Sequence, residues 1–185
     1  MKGPPISKPR TRVLSDDEIR ALWQGLNEFR PEVARVIKLC LVTGQRVGEV
    51  AGMTSGELDL TGRVWNIPGS RTKNGHPHSV PLSQLALDII DQTDWLSIDQ
   101  AQVSSIIHYN QLGLAPRWTA HDCRRSALTG MAKLGIAPIV IGHVANHRTT
   151  TKAGVTLGVY VHHAYEDEKR DALSRWATRL QNIIR

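Results

Sequence analysis

Apolar residues recur at helical spacing along most of the chain. Ser15-Asp16-Asp17-Glu18 reads as a capping box, with Ser15 as N-cap and Glu18 at the third helical position. Ile19, Leu22, Trp23 and Leu26 follow at the spacing of one helix face. Pro31 suits the first turn of a second helix, whose buried stripe is expected at Val33, Val36, Ile37, Cys40 and Leu41. Gly44 then reads as its C-terminal cap or a tight turn. Between Glu57 and Leu82 the period shortens. Thr61-Gly62 is a turn signal, Val64–Ile67 and His78–Val80 are short strand-like runs, and Lys73-Asn74-Gly75 forms the tip of the hairpin loop between them. From Ser83, a further N-cap, the helical spacing returns. Leu85, Leu87, Ile89 and Ile90 belong to a helix ending near Thr93, and Ile98 to Leu112 reads as another, with Val103, Ile106 and Ile107 inward. A helix after His121 carries Ala127, Leu128, Met131 and Leu134 and stops at Gly135. Pro138 starts the next, with Ile139, Val140, Ile141, Val144 and Ala145. Ala172, Leu173, Trp176, Leu180, Ile183 and Ile184 make a terminal amphipathic helix. The pattern predicts an α+β fold, mainly α-helical with a small antiparallel β-sheet.

Composition narrows the class. A chain of 185 residues, 41% apolar and 22% charged, is enough for one globular domain with a real core. Lys and Arg number 23 against 17 Asp and Glu, a net charge of +6 with a pI near 9.7, which favours a polyanionic partner. Residues 1–13 are proline-rich and basic without an acid, and read as a linker before a domain over residues 14–185. Cys40 and Cys123 stand far apart without metal-ligand spacing, Cys40 as a core residue, and this usage fits a reducing cytosol. No apolar run approaches the ~18 residues of a membrane span, and the N-terminus lacks a secretory apolar region, so no membrane partner is expected.

The candidate chemistry is concentrated between His121 and Tyr160. His121 and Arg124, three apart on a helix, share a face and can reach one ligand. His147 follows, then Tyr160 after Gly158-Val159, with no carboxylate placed to hold a catalytic metal. This set suits an anion and a hydroxyl nucleophile, and a DNA phosphate is the expected anion. His143 and His147 have metal-like spacing, but Val144 stands where the zinc-protease pattern needs Glu. Tyr165 is the rival nucleophile, yet Glu166-Asp167-Glu168 behind it would repel a phosphate. His76 and His78 read as polar loop residues. Arg125 points away from Arg124 and is assigned to the DNA backbone or the surface. Arg46 and Glu49, three apart, can form a local ion pair.

His-x-x-Arg, a later His 26 positions on and then a Tyr resembles the tyrosine recombinases, the phage integrase family. Thr43-Gly44-Gln45-Arg46-Val47-Gly48-Glu49 resembles that family's first-arginine box. Thr72-Lys73-Asn74-Gly75 with His78-Ser79-Val80-Pro81-Leu82-Ser83 resembles its hairpin lysine, and the tail from Tyr160 to Trp176 resembles the close of the prophage-integrase branch. The resemblance implies a DNA breaking-rejoining catalytic domain working without metal, ATP or other cofactor. Arg46, Arg124 and His147 would bind the nonbridging oxygens, because guanidinium forks suit phosphate. Lys73 would contact DNA and protonate the leaving 5′ oxygen, His121 would accept a hydrogen bond or a proton near the nucleophile, and Tyr160 would attack. Glu49 would orient Arg46. The resemblance further implies duplex DNA as partner, self-association as a tetramer on it, and a cytoplasmic, nucleoid-associated place. Family members normally carry an N-terminal DNA-binding domain before this point, so the chain reads as a fragment or reduced relative. Two other functions compete: a DNA-binding regulator that kept the fold without the activity, and a metal-dependent phosphoesterase using the histidines. A type IB topoisomerase-like enzyme shares the chemistry without sequence-specific synapsis.

Overall fold

The computed structural model describes residues 11–91, 98–147 and 165–185. In chain order these form α1 (Asp16–Gly25), α2 (Pro31–Thr43), α3 (Val47–Ala51), β1 (Leu58–Asp59), β2 (Val64–Ile67), β3 (His78–Pro81), α4 (Gln84–Asp91), α5 (Gln100–Tyr109), α6 (Ala120–Lys133), α7 (Pro138–Val144) and α8 (Glu166–Ile184). The expected caps are present. Ser15 and Glu18 close a reciprocal box at α1, Pro31 opens α2, and Gly44 ends α2 at φ 68°. That left-handed geometry carries little steric cost only for glycine. Asp99 and Gln102 form a further box that starts α5 later than its apolar run suggests, and the helix ends at Tyr109 before Leu112. The sheet is antiparallel in the order β1-β2-β3, with Trp65 opposite Val80 and Ile67 opposite His78.

The core lies around α2. A single stripe was the expectation for this helix, but Leu39 and Val42 are as buried as Val33, Val36, Ile37, Cys40 and Leu41. A helix buried on nearly every side is one that is surrounded. Here α6, α4, α3 and α8 pack against it. Trp176 on α8 locks this arrangement, its Nε1 donating to the Leu41 carbonyl at 2.9 Å. A Cβ added at Gly130 on α6 would lie 2.2 Å from the Trp176 ring, so α6 and α8 meet where no side chain fits. At the N-terminal side, Leu14 is buried and its amide donates to Ser126 Oγ at 2.8 Å. Packing therefore begins at the edge of the proposed basic linker, of which residues 1–10 lie outside the described residues. No helix among the described residues is long and apolar enough to cross a membrane.

Candidate active site

Four of the six proposed site residues come together where α2, α6 and α7 end or begin. Thr119 caps α6: its side chain accepts from the Asp122 amide, while its own amide donates to Asp122 Oδ2 at 2.9 Å. A cap of this kind contributes about 1 kcal/mol and sets the helix start. It therefore fixes where His121 and Arg124 stand in the first turns. His121 is exposed, whereas Arg124 is only 2% exposed and runs inward.

No ion pair within contact distance accompanies Arg124 among the described residues. Its Nη1 donates to the Gly44 carbonyl at 2.6 Å and its Nη2 to the Ala145 carbonyl at 2.7 Å. These are the C-terminal caps of α2 and α7, where carbonyls lack helical partners and the helix dipole is negative. The arginine thus clamps two helix ends. The same Nη2 lies 3.2 Å from His147 Nε2, and because a guanidinium can only donate, a bond between them makes that ring nitrogen the acceptor. Burial, followed by the charge of Arg46, lowers the Arg124 pKa to about 10, so it stays cationic at neutral pH. Partial burial and then Arg124 and Arg46 lower His147 as well, and partial burial of the ring, Arg125 and Arg124 lower His121. These shared influences mark one site in which cationic groups act on each other. Arg46 stands at its rim as the N-cap of α3, and its guanidinium donates to Glu49 Oε1 at 3.0 Å. Glu49 is buried and also accepts from the Arg46 amide, so it holds Arg46 at both ends.

The C-terminus of α7 is the junction of the site. The Val144 carbonyl accepts from Gln45 Nε2 at 2.8 Å and from His78 Nε2 at 3.1 Å, and the next carbonyl accepts from Arg124. His78 is therefore not a polar loop residue. It lies in β3, buried, and is lowered to about 4 by burial first and then by Lys169. Gln45 is wholly buried, a role that its place between Gly44 and Arg46 did not reveal. Lys73 is exposed on the loop between β2 and β3, as expected of a hairpin tip. That loop reaches the site through Asn74, whose Nδ2 donates to the Asn146 carbonyl at 3.1 Å and its Oδ1 at 2.9 Å. Sequence reading did not anticipate this link, because the two residues are 72 positions apart.

Arg125, expected at the surface or on the DNA backbone, is partly exposed. Its Nη1 donates to Asp122 Oδ1 at 2.7 Å and to the Arg12 carbonyl at 3.1 Å, so it braces the entry to the domain. Tyr160 lies outside the described residues. Tyr165, the rival, sits at the start of α8 with φ 54° and stacks on His143 at 4.3 Å between ring centroids. Both cysteines are free and buried. Among the described residues no group of three or more His, Cys, Asp or Glu could hold a metal.

The model of the phage integrase family matches residues 12–114, a stretch that holds Arg46 and Lys73 and stops short of α6. The shufflon-specific DNA recombinase of Escherichia coli is 25% identical over 162 residues, which cover 80% of this chain and 40% of that protein. The chain spans less than half the length of the curated relatives it matches. Among solved structures, the integrase from mycobacterium phage Brujita superposes with a TM-score of 0.69 at 20% identity, covering 100% of this chain and 67% of that one. A lambda integrase dimer bound to a COC′ core site does so at 0.63 and 20% identity, covering 79% and 61%. These two likenesses identify the fold, the mainly helical domain with its small antiparallel sheet. With more than half of its length matched by the family model, the chain belongs to the phage integrase family.

Proposed function

We propose that this chain is the catalytic domain of a site-specific DNA recombinase, which cleaves and rejoins duplex DNA through a 3′-phosphotyrosyl intermediate. The observation that carries this reading is the gathering of Arg46, Arg124, His121 and His147 into one cationic site, with the Lys73 loop bonded to the turn before His147. A phosphodiester seated there meets donors for its nonbridging oxygens from Arg46, Arg124 and His147. Tyr160 Oη attacks the phosphorus, and the bond to the 5′ oxygen breaks. His121 takes the phenol proton, and Lys73 gives a proton to the departing 5′ hydroxyl. Partial burial and the charges of Arg125 and Arg124 favour the neutral form of His121, the form that can accept a proton. Reversal of the same steps by another 5′ hydroxyl rejoins the strand, and the covalent link conserves the bond energy, so no ATP is consumed. The residues in place on the described part of the site favour activity over a regulator that kept only the fold.

Duplex DNA is the partner, as the DNA-bound lambda integrase among its structural neighbours suggests. Self-association on the DNA, as a tetramer, and a place on the nucleoid follow from this reading. The test uses nicked suicide DNA sites and scores the covalent protein–DNA adduct. Tyr160→Phe should abolish adduct while DNA binding persists. Adduct that survives in Tyr160→Phe and vanishes in Tyr165→Phe would reassign the nucleophile.

A further inference from the structure

We infer that Asn74 and Asn146 form a latch that positions Lys73 for proton transfer to the leaving 5′ oxygen. The inference rests on the reading of Lys73 as the general acid. Lys73 stands on an exposed loop, and its long side chain has many rotamers to lose. Proton transfer requires hydrogen-bond reach, and a misplacement of about 1 Å can cost on the order of 100-fold in rate. Something must hold the loop. Inside it, Thr72 Oγ1 donates at 2.8 Å to the His76 carbonyl, and the Asn74 Oδ1 accepts from the His76 amide at 3.2 Å. These bonds shape the loop without attaching it to the rest of the site.

Arg71 ties the start of the loop to the Glu57 carboxylate and the Glu49 carbonyl, and Asn74 supplies the attachment beside His147. Its Nδ2 bonds both the carbonyl and the Oδ1 of Asn146, and Asn146 Nδ2 approaches Asn74 Oδ1 at 3.4 Å. Asn146 has φ 48°, a left-handed geometry that asparagine tolerates better than most residues. It is also the residue before His147. Lys73 and His147 are thus each one peptide, about 3.8 Å between Cα atoms, from opposite halves of the latch. The same turn is fixed from behind, because the carbonyls of Val144 and Ala145 hold Gln45, His78 and Arg124. The latch therefore ties the acid to the rigid part of the site. Neither amide needs to touch DNA for this; they are positioning residues.

The experiment measures single-turnover cleavage of suicide DNA carrying either an ordinary scissile phosphate or one whose bridging 5′ oxygen is sulfur. A thiolate leaves without a proton, so the sulfur substrate removes the demand for the acid. Asn74→Asp keeps the size but loses the Nδ2 donor, and Asn74→Ala loses the side chain. Both should cleave ordinary DNA about 10- to 100-fold more slowly than the parent and recover to near the parent rate on the sulfur substrate. Asn146→Gly keeps the left-handed turn and the carbonyl acceptor, so its loss should be smaller, and the Asn74→Ala/Asn146→Gly pair should be no slower than Asn74→Ala alone. Lys73→Ala is the reference. If sulfur rescues Lys73→Ala but not Asn74→Ala, the latch is overturned and the acid stands. If sulfur fails to rescue Lys73→Ala, the acid assignment falls and the latch with it. Parent-rate cleavage of ordinary DNA by Asn74→Ala also overturns the proposal.

Discussion

Acid should unfold this domain partly through His78, and the structure sets the size of that effect. Its imidazole is buried in β3, donates to the Val144 carbonyl, and faces Lys169 on α8, Arg124 on α6 and Arg46. Its pKa in the folded protein is about 4, against the ordinary value of 6.5. The folded state thus resists a proton that the unfolded chain accepts. Stability is full above about pH 6.5, falls as pH drops through the interval, and the loss is complete below about pH 4. At pH 5 the unfolded histidine is mostly charged and the folded one mostly neutral. A gap of about 1.5 units then separates pH 5 from the unfolded pKa, which at 1.36 kcal/mol per unit is about 2 kcal/mol. His78→Gln removes the titration and keeps a donor for Val144. Urea unfolding at pH 7 and pH 5 should show the parent losing about 2 kcal/mol more than the variant. His121 and His147, lowered in the same direction, contribute to acid loss in both proteins and cancel in the comparison. Parallel pH curves, agreeing within about 0.5 kcal/mol, would refute the reasoning and place His78 in a wetter setting than its burial implies.

Three further outcomes are expected. Arg124→Lys replaces a fork that binds two carbonyls with a single ammonium; losing one charged hydrogen bond and orphaning its acceptor should cost roughly 2–4 kcal/mol in urea unfolding, and adduct formation should fall at least about 100-fold. Gly130→Ala forces a methyl against Trp176 and should destabilise by about 1–3 kcal/mol; a thermal midpoint equal to the parent's would contradict the α6–α8 contact. Affinity for duplex DNA should fall linearly with the logarithm of salt concentration, as counterion release requires, and a flat salt profile in a mobility-shift titration would argue against phosphate-dominated binding.

Local chemistry was the legible part of this fold. Ser15, Pro31, Gly44 and Pro138 act within a few residues of themselves, so their helix boundaries could be read from the chain. The short strand-like runs around Trp65 and Val80 likewise announced the sheet. Burial without a local signature was not legible. The polar positions of α2, Glu32 and Arg35, are enclosed because other elements wrap them, which periodicity within one helix cannot report. His78 could be read as the start of a strand, but its burial and its bond to the Val144 carbonyl depend on α7 lying against β3. Within the site, Arg46 and Arg124 stood out by motif, and the partnership of Arg46 with Glu49 by spacing. The helix-end carbonyls that hold Arg124 did not, since backbone acceptors leave no mark in a sequence. The Asn74–Asn146 pair was hidden for the same reason as His78: it depends on distant segments meeting.

The junction at the end of α7 has a consequence for how this domain can change. Its acceptors are the main-chain oxygens of Val144 and Ala145, which every amino acid carries. Side chains there can drift, within the limits of packing, without disturbing the bonds to Gln45, His78 and Arg124. Length cannot drift in the same way. Deleting or inserting one residue within residues 138–144 would turn the following carbonyls by about 100° around the helix axis and shift them by about 1.5 Å. All three donors would lose their acceptors at once. This stretch should therefore tolerate many substitutions and almost no change in length, a contrast that deep mutational scanning with single-codon deletions would read directly.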